Sequence, residues 1–327
     1  MRSLLIAPKP RHESLFRFNG NSLYSRAVRR FQRLRGGPCV TAQDVDRGCL
    51  DVEIDNRHVG FFAQINWCLY IFRFAKLEEI DARVALVSRN YREEFGRRDW
   101  FSSFFRYRRS HRTSGLNCHF IHELPELGIE ITPDMSLEEA HAVFFDTVSV
   151  RDEIAEHIDQ FKREHFSGGR ILGVHYRGTD KTNEAPSVSR SEVVQAIRRN
   201  IGGARKYDGI FVASDEVDFP IYVRDALPDC RVIWRDDFLR SSTGQAVHLS
   251  SPRGGSRLGM DALANCILLS NCDRLIRTSS FLSAWAKIFN PKLEIELLNR
   301  PFGQFLWYPE REIIRTLGSR TGTGGTA

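Results

Sequence analysis

From residue 170 to 298, short apolar runs and longer amphipathic ones take turns. The runs "RILGVHYR", "GIFVASDE", "CRVIWRDD", "RLIRTSS" and "KLEIELLN" have the length of strands. Between them, "SRSEVVQAIRRNIGG", residues 218–227, "GMDALANCILLSN" and "FLSAWAKIF" read as helices. Ser189 and Glu192 form a capping box at the start of the first helix. A Gly/Ser/Arg loop, 241–257, precedes the third. Strands separated by helices in this way predict a parallel sheet covered on both faces. Ligands bind such sheets beyond the carboxyl ends of the strands.

A second α/β block lies earlier. "CLDVEID" alternates like a strand, "HVGFFAQINWCLYIFRFAK" gives a Gly turn and an apolar helix, and "ARVALVS" is a short strand. Asp51, Glu53 and Asp55 recur with period two, so they share one strand face, expected to be solvated. In 92–112, arginines mix with Trp100, Phe101, Phe104, Phe105 and Tyr107. Such a stretch either stacks bases or sugars or forms a structural aromatic cluster. "SVRDEIAEHIDQFKREHFSGG" predicts a helix with Ser149 and Asp152 at its start and Gly168-Gly169 at its end. The link between two lobes falls here. The expected architecture is α/β, with two Rossmann-like lobes and a crevice between them. It divides into a basic extension (1–44), lobes 45–166 and 167–317, and a low-complexity tail, 318–327, read as disordered.

The chain of 327 residues is 42% hydrophobic and 27% charged, which suits a globular protein of one or two domains. No run reaches transmembrane length and the start lacks a signal-peptide pattern, so a cytoplasmic location is expected. Seven scattered cysteines without a CxxC pair read as reduced thiols rather than a zinc site. The net charge of +6 is carried largely by arginine. Residues 14–43 hold Arg17, Arg26, Arg29, Arg30, Arg33 and Arg35 and no acid. Within them 21–35 has the spacing of a basic amphipathic helix, packed on the protein or in peripheral contact with a membrane.

The stretch "ILGVHYRGTDKTNEA" loads charge onto a strand end. His175 and Arg177 are two apart and share one face, and Gly178 frees the backbone to turn. Asp180, Lys181 and Glu184 follow on the loop. Arginine clamps a pyrophosphate through two parallel hydrogen bonds. Glu184 with Lys181 suits deprotonating or orienting an acceptor hydroxyl. The alternative is a surface turn with solvated charges. No P-loop, no GxGxxG after a strand and no convincing DxD is present, so ATPase, dinucleotide and metal-dependent sugar-nucleotide sites find no support.

"GVHYRGTDK" resembles the HxRxTD motif of the α1,6-fucosyltransferases, the family that includes NodZ and the core fucosyltransferase of N-glycans. "VGFFAQINWCLYIFRFA", with Gly60 and Gln64, resembles its N-terminal Gly-rich turn and helix. "IFVASDE" and "DALANCILLSNCDRLIRTSSFLSAWA" resemble its later motifs. The resemblance is specific over roughly 168–290 and thin over 50–90. It implies a GT-B-like fold and inverting transfer of fucose from GDP-fucose to a glycan or lipid-linked oligosaccharide, with no metal and no other cofactor. The N-terminal lobe would face the acceptor and the C-terminal lobe would hold the nucleotide sugar. By resemblance Arg177 holds the β-phosphate, His175 contacts guanine or the phosphates, and Asp215 lines the crevice. Thr278, Ser279 and Ser280 touch phosphate, while Asp180, Lys181 and Glu184 serve the acceptor side. Asn265 stands where the family carries its guanine-reading carboxylate, and Asp261 lies one helical turn earlier. Two rival classes are a non-catalytic binder of nucleotide sugars and a basic nucleic-acid-binding protein. The first leaves Lys181 and Glu184 without a task, and the second leaves the strand-end cluster unexplained.

Overall fold

A computed structural model describes residues 49–55, 59–92, 98–109, 129–130, 134–178, 184–203, 206–236 and 255–321. The calls made on 1–44, Asp180 and Lys181 lie outside the described residues.

The chain enters a βαβ unit: β1 (Cys49–Ile54), α1 (Phe61–Leu77) and β2 (Asp81–Leu86), with β1 and β2 parallel and Val52 opposite Val84. A parallel pair needs a crossover of this length, and α1 supplies it. A 3-10 turn (Arg89–Tyr91), α2 (Phe101–Phe104) and β3 (Phe105–Tyr107) follow. Then come α3 (Leu137–Thr147), β4 (Val148–Val150) and α4 (Asp152–His165). β3 and β4 pair antiparallel, with Arg106 opposite Ser149.

The second half holds β5 (Ile171–Tyr176), α5 (Arg190–Ile201), β6 (Gly209–Ser214), α6 (Phe219–Ala226) and β7 (Val232–Ile233). It continues with α7 (Gly255–Ser270), β8 (Arg274–Arg277), α8 (Phe281–Phe289), β9 (Glu294–Leu297) and α9 (Glu310–Thr321). All five strands are parallel, in the order β7-β6-β5-β8-β9. The chain leaves the central β5 for β6 and β7 on one side and returns for β8 and β9 on the other. The strand order therefore reverses between β5 and β8, and a crevice opens beyond their carboxyl ends.

The two sheet faces differ. Leu172, Val174 and Tyr176 alternate onto the face covered by Val193 and Ile197 of α5 and Phe219 and Val223 of α6. Ile171, Phe211 and Leu275 point the other way, into a larger core that also takes in α1, α3, α7 and α8. Trp285 of α8 is completely buried there, with its ring centroid 5.6 Å from Phe62 and 5.0 Å from Phe144. The two halves thus share apolar side chains rather than merely abutting.

Several expectations change. Asp51 and Glu53 do not lie on a solvated face: both are buried, and Glu53 Oε1 accepts from Arg98 Nη2 at 2.6 Å. The segment that carries Arg98 supplies a cation to that face, which period-two spacing could not foretell. Asp55 alone is exposed. Ser149 does not cap α4. It is drawn into β4 by pairing with β3, and Arg151 occupies the N-cap. The aromatic stretch is a structural cluster, with Trp100, Phe101, Phe104 and Phe105 all buried. β7 keeps two residues of "CRVIWRDD" and, among the described residues, pairs only with β6. α9 runs to Thr321, so residues 318–321 of the segment read as disordered are helical. Cys68, Cys266 and Cys272 are buried free thiols, and burial pushes all three well above the usual thiol value. Among the described residues no helix is long and apolar enough to cross a membrane.

Candidate functional site

β5 and β8 end side by side, and their last residues are tied together. Thr278 N–H donates to the His175 carbonyl at 3.0 Å. Arg177 N–H donates to Thr278 Oγ1 at 2.9 Å. On the other flank, Gly178 N–H donates to Asp215 Oδ1 at 3.3 Å, and Arg177 Nε lies 3.9 Å from Asp215 Oδ2. His175, Arg177, Asp215 and Thr278 are therefore one cluster drawn from three adjacent strand ends. A Cβ on Gly178 would sit 1.9 Å from Glu216 Oε1, so any side chain there would have to push the Glu216 carboxylate aside.

The guanidinium of Arg177 also reaches the N-terminal half electrostatically. Burial pushes the Tyr91 phenol above its usual value, opposed by a hydrogen bond from the Phe61 N–H and by the charge of Arg177. Phe61 is the first residue of α1, and Gly60 is its N-cap. Tyr91 thus feels both the start of α1 and the charge of Arg177. Gln64 is occupied elsewhere: its Nε2 donates to the Val59 carbonyl at 3.2 Å and its Oε1 accepts from Ser88 Oγ at 3.0 Å. Trp100 Nε1 in turn donates to Ser88 Oγ at 3.0 Å. Gln64 holds the turn before α1 in shape.

Beyond β8 the chain is fixed by a buried arginine. Arg277 Nη1 donates to Glu310 Oε2 at 2.7 Å, Nη2 to the Ser280 carbonyl at 2.9 Å and Nε to Ser283 Oγ at 2.8 Å. Ser280 is the N-cap of α8, so the clamp sets where that helix begins. Ser279 N–H donates to Asn299 Oδ1 at 2.7 Å, and Asn299 Nδ2 donates to the Pro186 carbonyl at 2.8 Å. Phe302 N–H closes the ring on the Glu184 carbonyl at 2.8 Å. The result is a pocket lined by Glu184, Ser279, Ser280, Phe305, Trp307 and Glu310, among others. Arg277, Asn299 and Glu310 were not read from sequence. An arginine inside the apolar run "RLIR" was the available signal, because a buried guanidinium demands a carboxylate somewhere in the fold.

Asp261 and Asn265 both lie in α7 and both are buried. The helix begins at Gly255, six residues before Asp261, so Asp261 is not a helix cap. Asn265 Oδ1 has no hydrogen-bond partner among the described residues. α7 is seated against the N-terminal half at two glycines. A Cβ on Gly255 would lie 2.6 Å from the Asn90 carbonyl oxygen, and one on Gly259 would lie 2.5 Å from Phe104 Cζ. Among the described residues no group of three or more His, Cys, Asp or Glu side chains is arranged to hold a metal ion.

Chemically, the cluster offers a partly exposed guanidinium, hydroxyls at a helix N-terminus and carboxylates nearby. That set suits an anion flanked by hydroxyl groups.

A family model described as Nodulation protein Z (NodZ) matches residues 88–311. Nodulation protein Z of Bradyrhizobium diazoefficiens is 30% identical over 176 residues, covering 50% of this chain and 46% of that protein. The Sinorhizobium fredii protein of the same name is also 30% identical over 176 residues, covering 50% of this chain and 53% of that protein. The chain thus spans about half the length of the curated relatives it matches. Among solved structures, the NodZ α-1,6-fucosyltransferase soaked with GDP-fucose aligns with a TM-score of 0.51 at 20% identity, over 74% of this chain and 93% of that one. The same enzyme co-crystallised with GDP aligns at 0.50 and 19% identity, over 76% and 95%. This likeness carries the shared GT-B-like fold.

Proposed function

Because the chain belongs to the nodulation protein Z family, we propose that it transfers fucose from GDP-fucose to a glycan or lipid-linked oligosaccharide. The observation that carries this reading is the meeting of Arg177 with Thr278 where the strand order reverses. A relative's structure soaked with GDP-fucose supports the choice of donor. The C-terminal lobe, 167–317, would hold the nucleotide sugar, and the N-terminal lobe, 45–166, would face the acceptor.

GDP is a good leaving group, so the task is to stabilise charge on the departing pyrophosphate. Arg177 would do this from the strand end. Donors held by the fold need no reorganisation as the bond breaks, and the Thr278 and Asp215 contacts keep Arg177 in place. His175 and Ser279 would orient the same phosphates, with Ser280 at the start of α8. Glu184, with Asp180 and Lys181 just before it in sequence, would orient and deprotonate the acceptor hydroxyl. Attack from the face opposite GDP inverts the anomeric centre. With arginine as the fixed cation, the proposed reaction needs no divalent metal.

The test is a thermal-shift screen of GDP, UDP, ADP and CDP, run without metal and then with magnesium or EDTA. GDP is expected to stabilise the chain most, by an increment that grows with its concentration and is the same in EDTA. Stabilisation by another diphosphate alone, or only with magnesium, contradicts the reading.

A further inference from the structure

The pocket beside α8 contains a carboxylate that the fold leaves half used. Glu310 is 6% exposed, and its Oε2 is taken by Arg277. Its Oε1 is buried without a hydrogen-bond partner among the described residues. A buried polar atom left unpaired is costly, and its presence calls for a donor. A carboxylate oxygen accepts only, so the donor must carry O–H or N–H.

The walls say which kind. The lining joins two carboxylates, Glu184 and Glu310, to Ser279 and Ser280 and to the rings of Phe305 and Trp307. Among the described residues no lysine or arginine side chain lines it. A phosphate beyond the serine edge would face both acids, and Arg277 is already paired with Glu310. A neutral ring with hydroxyls on its edge and C–H groups on its face suits both the acceptors and the aromatic walls. The pocket also starts where the cluster ends, because Ser279 follows Thr278, which holds the backbone of Arg177.

We infer that this pocket receives the sugar ring of the nucleotide sugar, with Glu310 Oε1 accepting from a ring hydroxyl. This rests on the proposed function and adds to it a residue that reads the sugar rather than the nucleotide. Arg277 acts behind it as a positioning residue, aiming the carboxylate and the α8 N-terminus together.

Calorimetric titration of GDP and GDP-fucose into the full chain, into Glu310→Gln and into Trp307→Ala tests the inference. Glutamine keeps a carbonyl for Arg277 but removes the anion. Glu310→Gln is expected to bind GDP as the wild type does and GDP-fucose about ten- to a hundred-fold more weakly. A merely structural role would weaken both ligands together. Equal loss for both ligands, or no change for either, overturns the inference. If Glu310→Gln does not fold, Trp307→Ala reads the same difference, and the same two outcomes overturn it. Wild-type binding of GDP separates the two claims. A wild type that binds GDP while both variants keep full affinity for GDP-fucose removes the pocket alone. A wild type that binds neither nucleotide removes the proposed function, and the pocket with it.

Discussion

Asp261 and Asn265 sit one turn apart in α7, and both are buried. Guanine presents N1–H and N2–H₂ side by side, and a carboxylate pairs with both, whereas an asparagine offers one acceptor atom. Asn265 Oδ1 is such an acceptor, buried and without a partner among the described residues. In the proposed site Asp261 supplies the charge that Asn265 lacks. Asp261→Asn is therefore expected to weaken GDP binding by about 1–3 kcal/mol and to leave UDP binding unchanged. Titration of both nucleotides into the mutant checks this, and equal GDP affinity removes Asp261 from the base site. The residue scale is also where sequence reading ran short. The HxR pair at a strand end was legible because its spacing, its glycine and its position in the alternation all agree. Glu310 was not, because its role depends on Arg277, 33 positions away in sequence. Glu53 was misjudged for the same reason, its partner Arg98 being 45 positions away.

At the scale of elements, periodicity found the sheet and its helices because each carries local signals. The capping box at Ser189 and Glu192 is formed as expected. α9 was missed although Ile313, Ile314 and Leu317 have helical spacing behind Pro309. The start of α7 was placed late, at Gly259, because Gly255 was read with the loop 241–257. Their reason is packing. At Gly255 a Cβ would strike the backbone carbonyls of Asn90 and Arg92, at 2.6 and 2.9 Å, and backbone cannot rotate aside. Alanine gains about 1 kcal/mol of helix propensity, while overpacking costs about 1–3 kcal/mol, so Gly255→Ala is expected to destabilise. Gly318 in α9 has nothing within 4 Å of a Cβ, and Gly318→Ala is expected to be neutral or stabilising by up to about 1 kcal/mol. Denaturant unfolding of the two mutants gives the contrast. A stabilised Gly255→Ala would mean that α7 does not press on the 89–92 turn.

For the whole molecule, sequence suggested two lobes joined near residue 167, and the structure adds that apolar core runs through the join. Trp285 lies between Phe62 and Phe144, and Asn66 Nδ2 donates to the Tyr308 carbonyl at 2.8 Å. Long-range packing of this kind leaves no trace in local patterns. Trp285→Ala removes a fully buried ring, which costs about 3–5 kcal/mol. Hydrogen exchange should then accelerate in both α1 and β5. Acceleration confined to the second half would show that the halves unfold separately. The central claim concerns the crevice that this shared core holds in place, and it is tested most directly by the rate of GDP release from GDP-fucose with oligosaccharide acceptors. Arg177→Ala is predicted to lower that rate by about 10²–10³, with its melting temperature and circular dichroism unchanged. A folded Arg177→Ala that turns over near the wild-type rate would contradict the account.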